Sequence, residues 1–268
     1  GESMIDVDAL FENYFRTFIV ENSGKFSEDE LENKVGEVYA KFGSTPLKEL
    51  GGVSPKSYYA KMSDEELAEE LKKCVESKIA VSDFLCDELC KRDGVFDALL
   101  PLLGKKNDEL STYCVNVLRF NPRIKEAYPT FIDALCDEEC GDSLAETVTE
   151  VLKEDADCVK EDALAAFNAC GRAKKYLVEI LSACKIDEAV TDALINYFKD
   201  NPGEYSINAG YLGKYGDEKS LGVLYEAIKI PNLPYLDYKE IKLAIEELGG
   251  EVEDLKDYKN DSVYKKLH

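Results

Sequence analysis

Two stretches hold the side chains with the most reactive potential, "FLCDELC" (84–90) and "ALCDEEC" (134–140). Each sets two cysteines four residues apart around acidic residues: Cys86 with Cys90, and Cys136 with Cys140. Thiolates at such short spacing ligate zinc, so four sulfurs on one ion is the first chemistry to weigh. Oxidation sensing is the second. The only histidine is His268. That excludes a Ser-His-Asp or Cys-His arrangement inside the fold, and an HExxH zinc helix. Neither a Walker A loop nor GxGxxG occurs, and "LGG" at 50–52 and 248–250 is too short to cradle a phosphate. Paired carboxylates could serve as general acid and base, but the chain offers dozens and nothing singles out two. No catalytic residue, metal ligand or cofactor is assigned, and the chain is expected not to be an enzyme.

The elements that carry these residues read as helices. Apolar residues recur at the 3.6-residue period almost throughout, and alternating strands are absent. Ser27 with Glu30 and Ser63 with Glu66 are capping boxes, and Ser54-Pro55 reads as N-cap and first helical position. Residues 5–62, aromatic and interrupted by Pro46 and Gly51-Gly52, form an N-terminal helical cap region. From 63 to 250 helices are expected near 64–76, 81–92, 95–104, 108–120, 123–139, 142–154, 157–169, 172–184, 187–199, 203–215, 217–229 and 237–248. In pairs they start near 64, 95, 123, 157, 187 and 217. A spacing of roughly thirty residues signals stacked repeats, each burying its apolar face on the next. Residues 251–268 are a C-terminal tail. The fold class is all-α, an α-α superhelix of about six helix pairs. Ala163, Ala165, Ala166, Ala169 and Gly171 would let two helices approach closely.

This layering separates the cysteine pairs. Packed helices lie roughly 8–10 Å apart, so two layers put the pairs on the order of 20 Å apart, too far to share an ion. The expectation is that they are small buried apolar residues beside Phe84, Leu85, Leu89 and Leu135.

Charge narrows the partners. The chain carries 33 Lys and Arg against 55 Asp and Glu, a net charge of −22. Phosphate backbones need basic residues, so neither nucleic acid nor an anionic membrane is expected as a partner. No apolar run approaches the roughly 18 residues of a membrane span. Nine scattered cysteines without an apolar leader suggest a reducing compartment, the cytoplasm.

One unit carries a specific motif: "INAGYLGKYGDEKSLGVLYEAIK" (207–229), followed by "YKEIKLAIEELGG" (238–250). It resembles the HEAT repeat, in the short bacterial form of phycobilisome-lyase-like proteins. There one helix ends in Leu-Gly-x-x-Gly-Asp and the next carries L-x-x-A-L. Here Leu212-Gly213, Gly216-Asp217, Leu224, Ala227 and Ile228 hold those places, and 163–181 is a weaker echo. The resemblance implies an α-solenoid that recognises other proteins.

The second helix of each pair commonly lines the concave face of such arrays. There stand Asp83, Asp87 and Glu88; Asp108 and Glu109; Glu146 and Glu150; and Glu179. An acidic ridge of this kind would suit a basic protein or peptide segment. Among the clustered tyrosines, Tyr211 and Tyr215 fall on core positions, whereas Tyr205, Tyr235 and Tyr238 are expected on the binding surface. The expected function is a non-catalytic interaction scaffold. Two alternatives stand beside it: a DNA glycosylase of the HEAT-like kind, which needs a basic concave face, and a metal or redox regulator acting through cysteine.

Overall fold

The computed structural model describes residues 4–104, 106–253 and 256–268. The described chain is all-helical; its sole β pairing is an isolated antiparallel bridge between Leu47 and Val53. The helices are α1 (Val7–Glu21), α2 (Glu28–Gly43), α3 (Pro55–Ala60), α4 (Asp64–Glu76), α5 (Asp83–Cys90), α6 (Phe96–Leu99), α7 (Asp108–Leu118) and α8 (Ile124–Cys136). They continue with α9 (Asp142–Lys153), α10 (Ala156–Ala169), α11 (Lys174–Leu181), α12 (Glu188–Asp200), α13 (Tyr205–Tyr215), α14 (Leu221–Ile228), α15 (Tyr235–Glu247) and α16 (Ser262–Leu267). No described helix is long and apolar enough to cross a membrane. The chain forms two compact units, Gly1–Ala127 and Tyr128–His268.

Local sequence sets the helix starts. The capping boxes at Ser27/Glu30 and Ser63/Glu66 are closed in both directions, satisfying donors that a helix start leaves free. Pro55 occupies the first turn of α3 with Ser54 as its N-cap. Several predicted helices start or end differently. The segment 95–104 keeps only one turn of α-helix, because Pro101 lacks the N–H that a continuing helix needs; a 3₁₀ turn follows. α11, α13 and α14 each begin after a 3₁₀ turn, at Gly171–Ala173, Pro202–Glu204 and Glu218–Ser220.

In the N-terminal unit an aromatic cluster joins α1, α2 and α5. Phe11 meets Tyr39 edge-on at 4.8 Å, and Tyr39 stacks on Phe84 at 4.7 Å. Gly43 is required here: a Cβ would fall 2.5 Å from the Phe84 ring. Arg92 ties α3, α4 and α5 together, donating to the carbonyls of Ala60 and Met62 and pairing with Asp64 and Glu88.

In the C-terminal unit neighbouring helices pack as in an α-α superhelix. α10 pairs with α11, α12 with α13 and α14 with α15, while α9 packs on α11 and α13 on α15. Each layer is tied to the next by polar contacts about one repeat apart. Tyr128 Oη donates to Asp155 (3.3 Å), the Lys185 amide to Asp157 (2.8 Å), Lys160 to Asp187 (2.9 Å), and the Asp187 amide to Tyr215 Oη (2.7 Å). The "LGKYGD" segment has a structural role at every fixed position. Leu212 is core, and Gly216 ends α13 in the left-handed conformation at φ +82°. Asp217 caps the following 3₁₀ turn and accepts from Thr191 Oγ1 at 2.5 Å. Leu224, Ala227 and Ile228 are buried. Of the five small residues expected at a close helix approach, only Ala163 and Ala166 are buried; Ala165, Ala169 and Gly171 face solvent on the outer side of α10 and its end.

Candidate functional site

The cysteines are placed differently from a four-sulfur centre. All nine are free thiols, and no group of three or more His, Cys, Asp or Glu among the described residues is arranged to hold a metal. Cys140 is buried as expected of a small apolar residue, but Cys86 and Cys136 are half-buried and Cys90 is exposed, on the side of α5 away from Leu85 and Leu89. The sulfur that meets Cys136 is not that of Cys140, four residues on, but that of Cys170 at the end of α10, with which it hydrogen-bonds. Burial pushes the Cys74, Cys86 and Cys184 thiols up to about 11 and Cys114 and Cys136 to about 12, so these five are protonated at neutral pH.

In the N-terminal unit the acidic candidates divide. Asp83 and Asp87 are exposed on α5. Asp83 lies close enough to Asp8 of α1 to join burial in raising that carboxyl, and close enough to Tyr39 to join burial in pushing that phenol up to about 12. Glu88 is half-buried and engaged with Arg92 at 2.8 Å, so it braces the fold. Asp108 and Glu109 stand in the first turn of α7, where carboxylates complement the helix dipole.

The C-terminal unit gathers the others. Glu146, Glu150 and Glu179 lie on α9 and α11, the second helices of their pairs. Glu146 and Glu179 line one cavity of about 260 Å³ with Asp142, Glu204 and Lys175: four carboxylates against one lysine. Its remaining walls include Tyr176, Tyr197 and Tyr211. These groups hold one another in place. Tyr176 Oη donates to Asp142 at 2.6 Å and Lys175 pairs with it at 3.3 Å, which together hold the Asp142 carboxyl below its usual range. Lys153 bridges Glu179 at 2.7 Å and Glu150 at 2.9 Å. Burial pushes Tyr211 up to about 12, aided by the neighbouring Glu179 charge.

Asn208 also lines this cavity. It is 3 % exposed, and its Nδ2 is buried with no hydrogen-bond partner among the described residues. A buried amide left unpaired costs about 1–3 kcal/mol. Sequence reasoning missed it. The available signal was an asparagine four residues before Leu212, on the core stripe of α13.

A second cavity of about 380 Å³ between α13 and α15 shares Ile207 and Tyr211 with the first. Its walls include Ile207, Leu236 and Leu243, which are 54 %, 45 % and 45 % exposed. Tyr205 is half-buried and stacks on Phe198 at 4.6 Å. Tyr235 and Tyr238, expected on a binding surface, are buried. The physical reason is the C-terminal segment: Tyr258 covers both rings at 5.1 Å, and Tyr264 covers Tyr235 at 5.1 Å. The expected tail is thus partly structured, with Asp261 capping α16.

Compared with family models, curated proteins and solved structures, the chain finds no match.

Proposed function

We propose that the chain is a non-catalytic interaction scaffold of HEAT-like character, and that its C-terminal unit takes a basic, extended segment of a partner protein across α9, α11, α13 and α15. The observation that carries this reading is the cavity lined by four carboxylates against one lysine. A Lys or Arg side chain complements Asp142, Glu146, Glu179 and Glu204. The adjoining exposed Ile207, Leu236 and Leu243 supply a seat for an aliphatic residue a few positions away. An acidic cavity weighs for this reading over a glycosylase, whose ligand is a polyanion. The free thiols fit work in a reducing compartment, the cytoplasm.

The test is a randomised peptide library panned on the full chain, followed by fluorescence polarisation of the enriched sequences. Peptides joining Lys or Arg to an aliphatic residue are the expected outcome. Glu146→Lys, an exposed change, weakens them by about tenfold or more, as loss of a close charge pair does. Enrichment of acidic sequences, or an affinity indifferent to Glu146→Lys, overturns the reading.

A further inference from the structure

Cys136 and Cys170 stand one repeat apart in the chain, yet their side chains meet in a hydrogen bond. The contact belongs to a wider register, in which the segment 170–176 lies against 136–142. Arg172 donates to the carbonyls of Asp137, at 2.9 Å, and of Cys140. Tyr176 Oη donates to Asp142 at 2.6 Å, and Lys175 pairs with the same carboxylate at 3.3 Å. These bonds fix the two stretches of backbone that carry the thiols, so the meeting of the sulfurs is built into the packing of the repeat.

Of the nine cysteines, this pair is the best placed to be joined. Cys86 and Cys90 are also neighbours, but on adjacent turns of α5. There the Cβ atoms stand about 5–6 Å apart, whereas a disulfide wants about 3.8 Å, so closing it would unwind the helix. Cys136 is the last residue of α8, and Cys170 is the C-cap of α10, already out of the helical conformation at φ −116° and ψ 89°. A small backbone adjustment at either end can therefore set disulfide geometry without breaking a helix. Both residues are half-buried, open to a small oxidant and screened from bulky ones. The hydrogen bond sorts their roles. Burial and the bond to Cys170 push Cys136 up to about 12, so Cys136 is the donor and stays a thiol. Cys170 accepts that bond and is the sulfur that attacks first.

We propose that Cys136 and Cys170 form a reversible disulfide, a redox-sensitive strap between the end of α8 and the turn leading into α11, with a hydroperoxide as the oxidant. The Cys170 sulfur gives up its proton and attacks one peroxide oxygen, breaking the O–O bond. With hydrogen peroxide this releases one water and leaves Cys170 as a sulfenic acid. The Cys136 sulfur then attacks the Cys170 sulfur and breaks its S–O bond; the Cys136 proton leaves with the departing hydroxide as a second water. Two electrons pass from the sulfurs to the peroxide, and exchange with a dithiol restores both thiols. In a reducing compartment such a bond is transient. The strap joins the segments that lead into α9 and α11, which bring Asp142, Lys175 and Tyr176 to the acidic cavity, so oxidation fixes the spacing of two of its walls. The disulfide itself does not depend on what that cavity binds.

Peptide mapping of the full chain tests it. The protein is oxidised with hydrogen peroxide, its remaining thiols are blocked with iodoacetamide, and the unreduced digest is read by mass spectrometry. A protease that cuts before aspartate parts Cys136 from Cys140 at Asp137. The expected product joins the Cys136 and Cys170 peptides within one chain, and dithiothreitol separates them again. In Cys136→Ser the linked peptide is lost, and Cys170 accumulates as a sulfenic acid that dimedone captures. In Cys170→Ser the linked peptide is also lost, and Cys136 resists the peroxide. The first readout uses the unaltered chain, so a variant that fails to fold leaves the test intact. Cys170 joined to Cys140, Cys86 joined to Cys90 in place of the expected pair, or oxidation confined to exposed Cys90 and Cys158 while Cys136 and Cys170 take the alkylating label, each overturns the proposal.

Discussion

Alanine at Gly213 brings two opposed effects to one atom. Within a helix, glycine to alanine gains about 1 kcal/mol, because the backbone loses less freedom on folding. At Gly213 the added Cβ would lie 3.0 Å from the Cα of Ala244 and 3.2 Å from its Cβ, with Glu247 Oε2 nearer still at 2.2 Å. The glutamate can swing aside. The backbone of α15 cannot, unless the two helices part, and such overpacking costs about 1–3 kcal/mol. Gly210 is the control: it sits on the same helix, and a Cβ there has nothing within 4 Å. Gly210→Ala should therefore stabilise by about 1 kcal/mol. Gly213→Ala should be neutral or destabilise by up to about 2 kcal/mol, leaving a gap of about 1–3 kcal/mol between the pair. In urea titrations followed by circular dichroism, the midpoints move in opposite directions about the unaltered chain, or at least separate clearly. In thermal melts each kcal/mol appears as roughly 2–4 °C for a unit of this size. If Gly213→Ala stabilises as much as Gly210→Ala, α13 and α15 are not in the close contact described, and the role given to the glycine of "LGKYGD" falls.

Asp217→Ala should cost about 1–2 kcal/mol at neutral pH, since it removes a cap and the carboxylate that accepts from Thr191 Oγ1. The Thr191 hydrogen bond holds the Asp217 carboxyl below its ordinary 3.8, so the contribution is fully present above that value and is lost as pH falls through the lower folded-state value. The variant's deficit in urea midpoint must accordingly shrink in acid below about pH 4; a deficit constant down to the acid limit would contradict it. For the thiols, native iodoacetamide labelling at neutral pH followed by peptide mapping should modify exposed Cys158 first. Fully buried Cys114, pushed up to about 12, should react only on unfolding, and equal rates at the two would refute their assigned burial.

What the sequence disclosed and what it hid follow from the range of the interactions. Signals read within a few residues were dependable: Ser27/Glu30, Ser63/Glu66 and Ser54-Pro55 each begin the expected helix, and Gly216 ends one. The thirty-residue spacing placed Glu146 and Glu179 on helices that line one cavity. Partners set by tertiary packing were not visible. Tyr235 and Tyr238 are covered by Tyr258 from a segment with no repeat pattern of its own. Glu88 was counted with the free acids, though Arg92 stands four residues on and pairs with it. The Cys136 contact with Cys170 spans one repeat, whereas the four-residue spacing drew attention to Cys140. Asn208 was legible as a polar residue on an apolar stripe, a conflict between local and global levels.

The polar ties between layers also bear on how the chain reaches its fold. Tyr128 to Asp155, Lys185 to Asp157, Asp187 to Tyr215 and Thr191 to Asp217 span 27, 28, 28 and 26 residues. Contacts of that span are short for a unit of this size, and short-range contacts favour fast docking. In the C-terminal unit each helix pair can dock as soon as the one after it has been made, whereas Tyr39 of the N-terminal unit must await Phe84 of α5. A ribosome releasing this chain would therefore see the earlier layers consolidate while the later ones are still being synthesised, and the segment that closes over Tyr235 and Tyr238 would be the last to settle.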